Sequence, residues 1–107
     1  MNLQQLTIEK IDAFGGRRKL IGELEKYSLF LRGRQRSELM NIIIYIDMLY
    51  AGKVNVIFDA IHKRTAARRF LGSLETLIAL YNANGLKLVK ELITFNLEMV
   101  ENLEHLS

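Results

Sequence analysis

The chain has 107 residues and contains no cysteine, tryptophan or proline. This length is typical of one domain, predicted to span residues 1–107, and the missing cysteines exclude disulfides, thiolate metal sites and cysteine nucleophiles. The net charge of +3 is uneven, because residues 17–69 sum to +7 whereas residues 1–16 sum to −1 and residues 70–107 to −3.

No uncharged stretch has the length of a membrane span, and the first residues lack the basic-then-apolar order of a signal peptide. We therefore expect a cytoplasmic protein with no integral membrane association. The absence of proline favours long, uninterrupted helices.

Glycine is the only strong helix-breaking residue type in the sequence, so its positions set the predicted boundaries. Gly15 and Gly16 separate a short first helix, about 3–14, from a second helix of about 17–31. In the second helix, one apolar face is formed by Leu20, Leu24, Tyr27 and Leu31. Charged residues lie opposite, as in an amphipathic helix.

The middle of the chain has two interpretations. Ser37 is a plausible N-cap for a helix of about 38–51 that Gly52 would end. The β-branched runs on both sides of Gly52 could instead form a hairpin at about residues 41–58, within an α+β fold. The helix is favoured, with the hairpin as the alternative.

Helices also account for the rest of the sequence. We predict one at about 55–69, a second that Ser73 caps at 74–81, and a last one at 86–106 after an Asn84-Gly85 turn. The predicted fold class is all-α, a compact bundle of five or six helices. The aromatic residues are spaced as core residues are, and not as a platform for stacking RNA bases.

Basic residues concentrate in three groups. They comprise Arg17, Arg18 and Lys19; Arg32, Arg34 and Arg36; and Lys63, Arg64, Arg68 and Arg69. Of the first group, Arg17 and Arg18 are the predicted contacts of the partner. Arginine suits bidentate contacts with phosphate. If the groups converge, they form a surface for an anionic partner, with nucleic acid favoured over an acidic protein. The plainer interpretation is a solvated helix face.

The last helix carries an apolar seam with heptad spacing, formed by Val89, Leu92, Asn96, Met99 and Leu103. Such a seam is predicted to mediate homodimerisation or to bind a partner helix, with Asn96 fixing the register. Alternatively, Asn96 bonds to a backbone carbonyl within the monomer.

Catalysis is not predicted, because only His62 and His105 could act as imidazole bases and no phosphate loop or nucleophile elbow is present. Their carboxylate neighbours are too few for a di-iron site, so we expect no metal and no cofactor. The expected function is that of a non-catalytic binding or regulatory protein with an arginine-rich central surface for an anionic partner. The alternative is a protein-binding adaptor, inhibitor or chaperone with an apolar helix-binding surface.

Residues 46–50, Ile-Asp-Met-Leu-Tyr, are similar to a short piece of the flagellin-type export chaperones, which are small helical bundles. The resemblance covers these residues alone and implies that a chaperone belongs among the alternatives.

Overall fold

The computed structural model describes residues 3–52 and 64–106, and in these ranges the chain forms helices and no strand. The helices are α1 (Leu3–Phe14), α2 (Arg17–Ser28), α3 (Arg34–Tyr50), α4 (Arg64–Tyr81) and α5 (Asn84–Leu106). The predicted all-α bundle is confirmed, with five helices in the described part of the chain. None of these helices is both long and apolar enough to cross a membrane.

The predicted alternative of a hairpin at 41–58 is wrong. Residues 41–50 belong to α3, and residues 53–58 lie outside the described residues. The buried residues of α3 are Leu39, Ile43, Ile46 and Leu49. Their spacing of three or four residues follows the helical period, which places them all on the face toward the core.

The start of α3 differs from the prediction, because the helix begins at Arg34 and not after Ser37. Gly33 has a φ of +59°, a conformation that residues with a Cβ rarely adopt. The Ser37 amide donates to the Gly33 carbonyl at 3.1 Å, so Ser37 lies in the first turn and is not the N-cap.

Three further predicted boundaries are also wrong. α2 ends at Ser28 and not at about residue 31. α4 runs without interruption through Gly72 and Ser73, and the Ser73 hydroxyl donates to the Arg69 carbonyl, 3.5 Å away, as an interior residue. The part of the predicted 55–69 helix before residue 64 lies outside the described residues. α5 begins at Asn84, so the turn is formed by the two residues before it, and Asn82 has a φ of +49°.

A single apolar cluster joins the helices, and α5 is central because it packs against α1, α2 and α4. The members buried to 1% exposure or less include Ile11, Leu20, Leu24, Leu39, Ile46, Leu49, Leu74, Leu86 and Val89. The surface of the described residues includes the outer side of α3, the α2–α3 connection and one face of α4.

Gly85 permits close packing of α5 against α2. A Cβ at this position would lie 2.8 Å from the Glu23 Cβ, where the chain of α2 cannot move away easily. We expect Gly85→Ala to lower the free energy of unfolding by about 1–2 kcal/mol, since overpacking outweighs the gain in helix propensity.

Gly72→Ala is the matched control, because a Cβ added at this position would have no atom of the described residues within 4 Å outside its own helix turn. It is expected to stabilise the interior of α4 by about 0.5–1 kcal/mol. Urea unfolding of both variants measures the difference. Equal stability of the two variants would show that α2 and α5 do not approach each other this closely.

Candidate nucleic-acid interface

Arg17, in the first basic group, contacts two residues of another helix. Arg17, at the start of α2, lies 3.7 Å from the Asp47 carboxylate and its guanidinium lies 5.2 Å from the centre of the Tyr50 ring. Both partners are in the last turns of α3, so α2 and α3 run antiparallel here. Arg18 is exposed. Arg17 is exposed as well, so its contacts with Asp47 and Tyr50 do not by themselves remove it from the candidate surface.

Tyr50 extends this connection to α1. Its hydroxyl donates to Asp12 Oδ1 at 2.7 Å, and Gln4 in α1 donates to the Leu49 carbonyl at 2.8 Å. Burial, together with the hydrogen bond to Asp12, raises the pKa of Tyr50 above its ordinary value. The phenol therefore remains a donor at neutral pH, and this end of the bundle is fastened by polar contacts.

The second basic group lies at the other end of α2, in the connection to α3 and the first turn of α3. The Leu31 amide donates to the Ser28 carbonyl at 3.2 Å, and the Leu31 side chain is 2% exposed. Arg32, Arg34 and Arg36 are all exposed. Buried Leu31 thus fixes the connection while the arginines face solvent.

The arginines of this group differ in their pairing. Arg34 lies 3.3 Å from Glu38, one turn further along α3. In the described part of the chain, no carboxylate lies within ion-pair distance of Arg32 or Arg36. Exposed pairs such as Arg34–Glu38 contribute little stability, so all three guanidinium groups remain available to an anion.

The third basic group lies on α4, where Arg68 and Arg69 are exposed. Lys63 lies outside the described residues, and so does the side chain of Arg64. Arg68 precedes Arg69 by one residue and therefore points about 100° away around the helix. The face of α4 that bears Arg69 also bears Ser73, one turn later.

A hydrogen bond between side chains joins the second group to the third. Gln35, between Arg34 and Arg36, donates to the Ser73 hydroxyl at 2.9 Å. Ser73 in turn donates to the carbonyl of Arg69. We call the exposed set Arg32, Arg34, Arg36 and Arg69 the basic surface.

The first basic group does not join this surface. Arg17 and Arg18 begin α2, whereas the basic surface lies beyond its last residue, Ser28. The 12 residues of α2 span about 18 Å at the helical rise. Of the three groups in the sequence, therefore, two meet and one lies at the opposite end of the helix.

The apolar seam of the last helix lies inside the chain and not on its surface. Val89, Leu92 and Asn96 are 1%, 4% and 6% exposed, and Met99 is half-buried; the side chain of Leu103 lies outside the described residues. A helix packed within its own bundle produces the same spacing as a dimer seam. This part of the predicted partner-binding surface is therefore corrected to an internal packing face.

Asn96 bonds within the chain, as the alternative interpretation predicted. Its Nδ2 donates to the Leu92 carbonyl at 2.6 Å. Its Oδ1 is buried and has no hydrogen-bond partner among the described residues. A buried acceptor without a donor costs free energy, so Asn96 is a site of lowered stability in the core.

Sequence reasoning missed an exposed aromatic pair. Phe30 and Tyr81, which their spacing predicts to be core residues, are 61% and 46% exposed, and their rings stack with centroids 5.3 Å apart at an angle of 22°. Their sequence neighbours Leu29 and Leu80 are 76% and 69% exposed. The run Leu29-Phe30-Leu31 could have signalled this, because three consecutive residues cannot all face one side at a helix end.

Within the described residues, no three histidine or carboxylate side chains come close enough together to hold a metal ion. His62 and the side chain of His105 lie outside this part of the chain. Comparison of the sequence with protein-family models and with curated proteins, and of the structure with solved structures, finds no match. The fold and this surface therefore define the class of protein. The described part of the chain is an all-α bundle of five helices with a surface that is rich in arginine and partly aromatic.

Proposed function

We propose that this is a non-catalytic, cytoplasmic regulatory protein that binds nucleic acid through the basic surface. The observation that supports the proposal is the Gln35–Ser73 hydrogen bond of 2.9 Å. It places the start of α3, where Arg34 and Arg36 lie on either side of Gln35, beside the part of α4 that carries Arg69. A nucleic-acid backbone presents a row of phosphates, which cations around one helix junction can contact at several points.

The charge balance of this face favours an anionic polymer. Residues 29–37 contain three arginines and no acidic residue, and Arg69 adds a fourth cation from α4. Glu38 pairs with Arg34, so these five side chains carry a net charge of +3. Each phosphate that an arginine neutralises releases condensed counterions, so the binding free energy depends on salt. An arginine fork also matches the geometry of two phosphate oxygens.

A titration at two salt concentrations tests the proposal. Fluorescence anisotropy is followed with labelled duplex and single-stranded oligonucleotides of equal length. If four phosphates are neutralised, the affinity for duplex falls about 150-fold between about 50 and 200 mM salt, because the slope of log K against log salt is about −0.9 per phosphate. Absence of binding to both oligonucleotides at the lower concentration would overturn the proposal.

A protein partner is the second candidate, and a different observation favours it. Met40 and Ile44 are 41% and 51% exposed on the outer side of α3, one helical turn apart. Apolar residues at this spacing can receive a partner helix or a second copy of the chain. Two results would support this candidate. The protein purifies with one stoichiometric protein partner that nuclease treatment does not release, or it is a dimer by sedimentation equilibrium.

A further inference from the structure

The exposed apolar side chains of the described residues are unevenly distributed. Six large ones are exposed, and four of them, Leu29, Phe30, Leu80 and Tyr81, belong to the α2–α3 connection and the end of α4. Isolated exposed apolar residues are common, whereas a cluster indicates a binding surface. This cluster contains the stacked aromatic pair, and each ring has an outer face that the other ring does not cover.

The aromatic pair is continuous with the basic surface in two directions. Along the connection, Arg32 follows Phe30 by two residues, a distance of at most about 7 Å along the chain. Along α4, the exposed or half-buried residues Arg69, Ser73, Thr76 and Leu80 follow one another at spacings of three or four residues and so share one face.

The length of this face suits a short strand. From Arg69 to Leu80, the neighbour of Tyr81, the axis of α4 rises about 16 Å, which corresponds to about five nucleotides at a stacked spacing of about 3.4 Å. Arg69 lies at one end of this face and Arg32 lies in the α2–α3 connection. The aromatic rings lie at the other end of the face, near the last residue of α4. Paired bases in a duplex are covered above and below by their neighbours, so only unpaired bases can stack on such rings.

Resting on the nucleic-acid binding proposed above, we infer that the partner is single-stranded: its phosphates contact Arg32, Arg36 and Arg69, and an unpaired base stacks on Phe30 or Tyr81. Charge complementarity favours this occupant over an apolar protein segment, since Arg32 lies two residues from Phe30 and the face of α4 that carries Leu80 also carries Arg69. An anionic membrane offers the same charge, but four side chains without tryptophan make a small insertion face.

Conservative aromatic variants test the inference. Phe30→Leu and Tyr81→Leu retain apolar side chains but lose the π-face, and both positions are exposed enough for the fold to tolerate them. At least one of the two is expected to lower the affinity for a labelled oligothymidine about 5- to 150-fold, the effect of removing one base–aromatic stack. Affinity for a duplex of equal length is expected to stay within about twofold of the wild type, since it depends on phosphate contacts.

Tyr81→Phe retains the ring and is the matched control, expected to bind oligothymidine as the wild type does. Thermal unfolding followed by circular dichroism confirms that each variant is folded.

The outcomes distinguish the two proposals. If oligothymidine and duplex bind equally, and if Phe30→Leu and Tyr81→Leu change neither affinity, the single-strand inference is overturned while nucleic-acid binding stands. If neither binds at low salt, nucleic-acid binding itself fails. Binding only to phosphatidylglycerol vesicles, lost in Phe30→Leu, would overturn both and assign the surface to a membrane.

Discussion

Replacement of both Arg32 and Arg36 by glutamine is expected to lower the affinity for nucleic acid about 200-fold at about 50 mM salt, if each contacts one phosphate of a duplex. The two side chains are exposed and lack a carboxylate partner in the described part of the chain. Their loss removes cations without leaving a buried charge behind. Anisotropy titrations over a range of salt concentrations measure the affinity, and the slope of log K against log salt should become shallower by about 1.8.

Arg18→Gln with Lys19→Gln is the matched control. These residues are also exposed, and the double variant changes the net charge by the same amount at the opposite end of α2. We expect a loss of no more than a few fold, from the reduced long-range field. Equal losses in the two double variants would mean that total charge, and not the basic surface, determines binding.

Asn96→Leu is expected to raise the free energy of unfolding by about 1–3 kcal/mol, the cost of a buried polar group without a partner. The Asn96 side chain is buried, and its Oδ1 accepts no hydrogen bond from the described residues. The Leu92 carbonyl is four residues before Asn96, so it keeps the helical backbone bond when Nδ2 is removed. Leucine has the same branching and the same number of side-chain heavy atoms as asparagine. Thermal unfolding should show a rise in Tm of roughly 4–8 °C per kcal/mol.

Asn96→Asp is the opposite test at the same position. It buries a carboxylate without a cation and is expected to destabilise the fold by about 3 kcal/mol or more at neutral pH. Burial raises the pKa of such a group, so the deficit should shrink as the pH falls and the carboxyl becomes protonated. Sedimentation equilibrium is expected to give the same number of subunits for the wild type and for Asn96→Leu. A changed number in Asn96→Leu would instead assign Asn96 to the register of a helix pair between subunits.

The sequence predicts the helices well where apolar periodicity is strong and less well where it relies on capping residues. α1 has the predicted bounds of 3–14, because Gly15 and Gly16 end it. The predicted Ser37 and Ser73 caps are wrong, since serine inside a helix can bond to the carbonyl four residues earlier, as Ser73 does to Arg69. The sequence predicts that Gly85 lies in a turn, whereas it lies in α5. Its role is to allow close packing against Glu23 in α2, and a contact between distant residues cannot be seen in one sequence.

The site is predicted in part. Charge counting finds the arginines, but which groups meet depends on the antiparallel course of α2 and α3 and on the contact between Gln35 and Ser73. Heptad spacing finds the apolar face of α5, but spacing alone does not distinguish the core of one chain from a seam between two. The pairing of Phe30 with Tyr81 joins residues far apart in sequence, so no local pattern reports it.

Leu31 has a consequence for how a ligand would bind. It lies between exposed Phe30 and exposed Arg32, yet its own side chain is 2% exposed. The connection therefore loses its conformational entropy when the chain folds, and not when a ligand arrives. A flexible arginine-rich tail of similar composition would lose that entropy in every binding event, which weakens its affinity for a given number of contacts. One buried leucine in a short connection thus pre-organises the recognition surface around it.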